Sequence, residues 1–127
     1  CMAVLVTLPE TTPVNETIET AYALEEDVGI RLGPIVVNGV DQGTTLPDPD
    51  ATERALQSDA LDDATRTTLR EAARFRRSRR AMEREALDDL AEGLPLAQVH
   101  LRALPVAGLD PESVDALADE LVDGDPS

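Results

Sequence analysis

Lysine is absent from this chain of 127 residues, and all 11 of its basic residues are arginine. That excludes a phosphate-cradling glycine-rich loop within it, because such a loop depends on a lysine that reaches the terminal phosphates. Tryptophan is absent too, and Phe and Tyr occur once each. A chain of this length can bury one moderate core, and here Val, Leu, Ile and Ala must build it. The single cysteine, Cys1, cannot close an internal disulfide, so a reducing compartment, the cytoplasm, is the expectation. No apolar run approaches the roughly 20 residues of a membrane span, and no charged segment followed by an apolar stretch and a cleavage site marks a signal peptide. Ser/His/Asp arrangements, EF-hand loops and a dinucleotide GxGxxG are all missing. Acids outnumber bases by 26 to 11, for a net charge of −15. This excludes a general nucleic-acid coat, which needs a net basic face.

The charge that is present is unevenly placed. Residues 1–65 carry 13 acids and two Arg, residues 66–84 carry eight Arg and two Glu, and residues 85–127 carry 11 acids and one Arg. A basic island of net +6 therefore lies between two acidic flanks. No internal repeat or low-complexity linker divides the chain.

Ala3–Leu8 reads AVLVTL, an apolar, β-branched run with no room for a polar face, which predicts a strand buried on both faces. Pro9 stops it. Thr12-Pro13 then reads as an N-cap followed by proline at the first helical position, and Val14, Ile18, Ala21, Leu24 and Val28 recur at helical spacing up to Gly29, a natural C-cap. Ile35-Val36-Val37 is a second buried strand ending at Asn38. Strand, helix and strand in about 35 residues is the size of a βαβ unit. Residues 39–50 read as a loop. Residues 51–92 read as a helical hairpin with a break near Ser58–Asp63, its apolar stripe being Leu69, Ala72, Phe75, Met82, Ala86 and Leu90. A third strand is expected at Ala97–Leu101, then a helix opened by Asp110-Pro111-Glu112 with Val114, Leu117 and Leu121 on its buried face. The tail from Gly124 is expected to fray. The order β-α-β-(αα)-β-α predicts an α/β fold with an open parallel sheet of about three strands. So thin a sheet leaves an edge exposed unless other polypeptide covers it. Together with the opening on Cys1 rather than Met, this suggests a chain truncated at its amino terminus.

Ligands of open parallel sheets bind beyond the carboxyl ends of the strands. Three features fall there: Pro9-Glu10, Asn38 and Leu104-Pro105. An Asn amide offers the donor and acceptor that read an adenine edge, a carboxylate such as Glu10 can hold a ribose hydroxyl, and a proline turn can wall a base. Each also has a plainer reading as a turn residue.

These segments resemble a known family, the ArsA-type anion-transporting ATPases, which include the tail-anchored-protein targeting ATPases. VLVTLPETTPVNETIETAYAL is similar to the family's strand ending in Glu, here Glu10, followed by the Glu-Thr of the next helix, here Glu16-Thr17. GPIVVN is similar to the strand ending in the nucleotide-binding Asn, here Asn38. LPLAQVHLRALPVAGLDPESVDAL is similar to the strand and Pro loop beside the adenine. The resemblance covers nearly the whole chain as the carboxyl-terminal part of one ATPase unit. It implies a partial P-loop NTPase-like three-layer fold with an inserted Arg-rich hairpin. It further implies ATP as the nucleotide, with Asn38 on the adenine, Glu10 in the nucleotide site, and Pro105 with Val106 flanking the base. Mg2+ and the phosphates would be held by an upstream P-loop part, so this chain alone is not catalytic while the full-length protein is an ATP hydrolase. A homodimer or pseudodimer that opens and closes is implied, with a membrane-protein partner or client and no nucleic acid. The family's zinc-binding Cys-x-x-Cys and arsenite-binding cysteines have no counterpart here, so no metal site is expected.

The remaining features have two readings each. The Arg island can bind an acidic partner, making the chain a non-catalytic interaction module or a degenerate relative, or it can be a solvated face paired with the protein's own acids. His100, the only histidine, reads as a core or edge residue ahead of a metal ligand. Asp62-Asp63 and Asp88-Asp89 are adjacent on helices, point different ways, and read as solvated.

Overall fold

The computed structural model describes residues 1–43, 47–104 and 110–124. It is a mixed α/β chain with parallel strands. In order, the elements are β1 (Met2–Ala3), β2 (Val6–Thr7), α1 (Thr11–Ala23), a π-helical turn (Leu24–Val28), β3 (Arg31–Leu32), β4 (Ile35–Val40), α2 (Pro49–Leu56), α3 (Asp63–Gly93), β5 (Gln98–Arg102) and α4 (Pro111–Asp123). The chain forms two compact units, one of Cys1–Gln42 with the chain from Glu83 onward, the other Gly43–Met82. Helix α3 contributes to both.

In the first unit, β2, β4 and β5 form a three-stranded parallel sheet with β4 in the centre, and β1 pairs with β3 as a two-stranded parallel sheet. The period-two alternation of β4 supplies both of its faces. Ile35, Val37 and Val40 join Val14 and Ala21 of α1, Ala86 and Leu90 of α3, and Leu94 in one buried cluster. Val36 joins Val99 and Leu101 of β5 in a second cluster, over which Leu117 of α4 packs. Helices therefore cover both faces of β4, the arrangement that a fully apolar parallel strand requires. Of the two ring-bearing aromatics, Tyr22 belongs to this unit, and its hydroxyl donates to the Gly93 carbonyl at 3.0 Å.

The first apolar run departs from expectation. It is divided between β1 and β2, and its alternate residues are bare: Val4 is 50%, Val6 65% and Leu8 42% exposed, whereas Thr7 is buried. The reason is sheet order. β2 is an edge strand, and although Val6 pairs with the buried Val36, the second cluster that α4 completes is confined to β4 and β5.

Two helix starts also differ from the sequence reading. α1 begins at Thr11 with Glu10 at the N-cap and no side-chain capping bond, so Thr12 is already helical. α2 begins at Pro49, because the Asp48 carboxylate accepts from the Ala51 amide and proline occupies the first turn, an N-cap within the stretch read as a loop. β4 also runs past its expected end at Asn38 to Val40, whereas two other stop and start signals are as expected. Gly29 closes the first helical segment in the left-handed conformation at φ 70°, and Asp110 caps α4 by accepting from the Ser113 amide at 2.7 Å. The expected fraying beyond Gly124 and the residues 44–46 of the loop lie outside the described residues.

In the second unit, arginines of α3 knit the hairpin. Arg70 makes a two-pronged pair with Glu53 at 2.6 and 3.0 Å. Arg66 donates to the Leu56 carbonyl at 2.6 Å and pairs with Asp63. Arg77 donates to Thr52 and to the Pro47 carbonyl, and Arg80 to the Gly43 carbonyl. The stripe expected along α3 is buried only at its end, at Ala86 and Leu90, while Leu69, Phe75 and Met82 are exposed. The connecting rather than apolar contacts of the hairpin explain this: its helix–helix seam is made by Arg side chains, and only Leu56 of α2 is buried there.

Candidate functional site

A cleft of about 350 Å³ lies at the carboxyl end of β2, against α1 and Asn38 of β4, within the first unit. Thr7 and Val37 are register partners, so Leu8 and Asn38 are the next residues of their strands at the same level. Leu5, Val6, Thr7 and Leu8 supply the strand side of the cleft, Asn38 comes from β4, and Pro13, Glu16, Thr17 and Thr20 come from α1. The position of Asn38 is tied to a β-bulge. The pairing of β4 with β5 shifts between Asn38 and Val40, and Gly39 takes a φ of 83°, a conformation that side chains with a Cβ disfavour.

The four residues of α1 form one stripe of the helix, at i, i+3, i+4 and i+7. The core-facing stripe beside it carries Val14, Thr17 and Ala21. Burying that apolar stripe against the sheet turns the flank with Glu16 and Thr20 toward the cleft. The Thr17 hydroxyl donates to the Pro13 carbonyl at 2.8 Å, which leaves its oxygen able to accept. Among the described residues, none hydrogen-bonds or ion-pairs with the exposed side chains of Glu16, Thr20 and Asn38. The cleft thus offers an amide that can donate and accept, a carboxylate that accepts, the three hydroxyls of Thr7, Thr17 and Thr20, and an apolar wall. None of its lining residues is a cation.

Of the residues singled out from sequence, Asn38 is exposed and lines this cleft. Glu10 is exposed at the N-cap of α1, where its backbone carbonyl accepts from the Val14 amide at 3.0 Å. It is not among the lining residues. Pro105 and Val106 lie outside the described residues. Glu16, Thr17 and Thr20 enter as new site residues. Their signal in the sequence is a polar stripe at helical spacing beside the apolar one.

His100 is half-buried on β5, where its Nε2 lies 2.8 Å from the Gln98 side-chain oxygen, and burial lowers its pKa. Among the described residues, no group of three His, Cys, Asp or Glu is placed to hold a metal ion, and no helix is long and apolar enough to cross a membrane.

No protein-family model matches the sequence, and no curated protein matches it.

Proposed function

We propose that this chain is the adenine-nucleotide-binding half of an ATPase of the ArsA type, which couples ATP binding and hydrolysis to transport or targeting. The observation that carries the reading is the Asn38 amide, without a partner among the described residues, in a cleft at the carboxyl end of the parallel strand β2, the side on which open α/β sheets bind their ligands. An amide at that place can meet the amino group and ring nitrogen of adenine together, and Leu5, Val6 and Leu8 offer the apolar wall that a base needs. The volume fits the lower end of the ~300–1,000 Å³ typical of small-molecule sites.

The residues present suit the base and sugar of ATP and do not suit its phosphates or Mg2+. The chain has no lysine, and among the described residues that line the cleft none is a cation and the charged one is Glu16, a carboxylate. On this reading, a P-loop part outside this chain holds the triphosphate and the metal and performs hydrolysis, within the P-loop NTPase-like fold that the resemblance implies. The work of this chain is selection and orientation of the nucleoside. The test is Asn38→Ala, followed by calorimetric titration with ATP and adenosine. Loss of a two-point contact is expected to weaken binding by about tenfold or more without lowering the melting temperature, since Asn38 is exposed. Unchanged affinity would remove the adenine assignment.

A second reading, a module that binds an acidic partner through α3, is favoured by one observation. Ala72, Phe75, Arg79 and Met82 share a helical face, Phe75 and Met82 are 66% and 65% exposed, and the Arg79 guanidinium lies 6.0 Å from the centre of the Phe75 ring. Phe75→Ser with Arg79→Glu should abolish partner binding on this reading and leave nucleotide affinity untouched on the first.

A further inference from the structure

We infer that Glu16, with Thr20, recognises the ribose hydroxyls of the bound nucleoside and so sets a preference for ribonucleotides over deoxyribonucleotides. The inference rests on the nucleoside reading above and goes beyond it by assigning the sugar to α1 residues. Glu16 and Thr20 are one helical turn apart, both line the cleft, and among the described residues neither side chain has a partner. An ionised carboxylate only accepts hydrogen bonds. It therefore matches a pair of donating hydroxyls and repels a phosphate, and no lining cation offsets that repulsion. This sign of charge gives the ligand a direction: the sugar lies along α1 and the phosphates point away from Glu16. The Asn38 amide, on β4 at the same level as Leu8, is left to read the base. A ribose diol held by a carboxylate also leaves no room in charge for a 2′-phosphate, so 2′-phosphorylated nucleotides are rejected.

The test compares adenosine with 2′-deoxyadenosine and 3′-deoxyadenosine by saturation-transfer NMR titration on the full chain, for the unaltered protein, Glu16→Ala, Glu16→Gln and Asn38→Ala. A hydrogen bond to a charged acceptor predicts that adenosine binds about tenfold tighter than either deoxynucleoside. Glu16→Ala should bring the three ligands within about twofold of one another, and Glu16→Gln, which keeps an accepting oxygen but no charge, should fall between. Asn38→Ala should weaken all three ligands alike and keep their ratio. A ratio that survives Glu16→Ala, or no discrimination by the unaltered protein, overturns the inference while leaving the nucleoside reading standing. Binding of none of the three ligands overturns both.

Discussion

Two apolar runs of nearly the same composition, AVLVTL at residues 3–8 and IVV at residues 35–37, behave differently. Ile35, Val36 and Val37 are buried to 1%, 6% and 0% exposure, while Val4 and Val6, their near equals in the first run, are at least half exposed. Both runs lie in parallel pairing, and two pairs of their residues are register partners. The difference comes from position in the sheet. β4 has a strand on each side and a helical layer on each face, whereas β2 has one neighbour and a helix on one face. Composition states what a strand tolerates; the neighbours it finds state what it buries.

The sharpest break of this comparison is a pair of alanine substitutions. Ile35→Ala removes a fully buried side chain and is expected to cost about 2–5 kcal/mol in urea unfolding. Val6→Ala, on the bare face of the edge strand, should stay within about 0.5 kcal/mol. Equal costs would mean that something covers β2 in solution.

A smaller effect separates two glycines around β4. Gly39 sits at the bulge with φ 83° and open space where a Cβ would go, so Gly39→Ala meets only backbone strain, about 1–2 kcal/mol. Its result in an Asn38-dependent titration should be a loss of affinity, because relief of that strain moves the bulge. At Gly33 an added Cβ would touch Met2 and Val4 side-chain atoms at 3.2–3.3 Å. Met2 and Val4 are both at least half exposed and can give way, so Gly33→Ala should be nearly silent in the same unfolding curves.

The smallest effect is one of pH, and it tests whether α4 makes the difference between the covered and bare parts of that face. The bonds from Ser113 hold the Asp110 carboxyl below the usual carboxylate range. A carboxyl whose folded pKa is depressed contributes stability that is fully present above its unfolded value, near 3.8. That stability is lost as pH falls through the folded pKa. Acidification should therefore loosen the first turn of α4 and raise hydrogen exchange at Val36, Val99 and Leu101 toward the level of the β2 edge. Asp110→Asn keeps a neutral cap and should remove that dependence on pH, even where other acids continue to titrate.

Much of the architecture was legible along the chain. The order of the helices and of the three-stranded sheet's strands, the break between α2 and α3, the Gly29 terminus and the Asp110-Pro111 start follow from local steric and capping rules, which act over a few residues; the short β1–β3 pair was not among the expected strands. Two cap positions were misplaced by local competition. Proline at residue 13 suits the third helical position as well as the first, and Asp48-Pro49 lay hidden in a run of turn formers. In the site, Asn38 was legible because a polar residue closing an apolar run stands toward the ligand end of a parallel sheet, although β4 itself runs on to Val40. Glu16 and Thr20 were not, since nothing local says which flank of α1 faces a strand end. The exposed stretch of the α3 stripe was equally hidden: Phe75 and Met82 share the spacing of Ala86 and Leu90, and spacing alone cannot say where along a 31-residue helix the core stops.

By itself, the sequence determined a parallel α/β chain with a valine- and leucine-built core, an arginine-only hairpin, and no internal means of gripping phosphate through lysine. These are properties of residue type and short-range geometry, which the chain carries wherever it goes. Only the tertiary structure decided which apolar strand is covered twice, how far along α3 burial extends, and that Glu16 and Thr20 share a cleft with Asn38. Those are matters of which surfaces meet across distant parts of the chain. Burial of one stripe of α1 against the sheet sets the rotation of the whole helix, and with it the direction of every polar side chain on its flank.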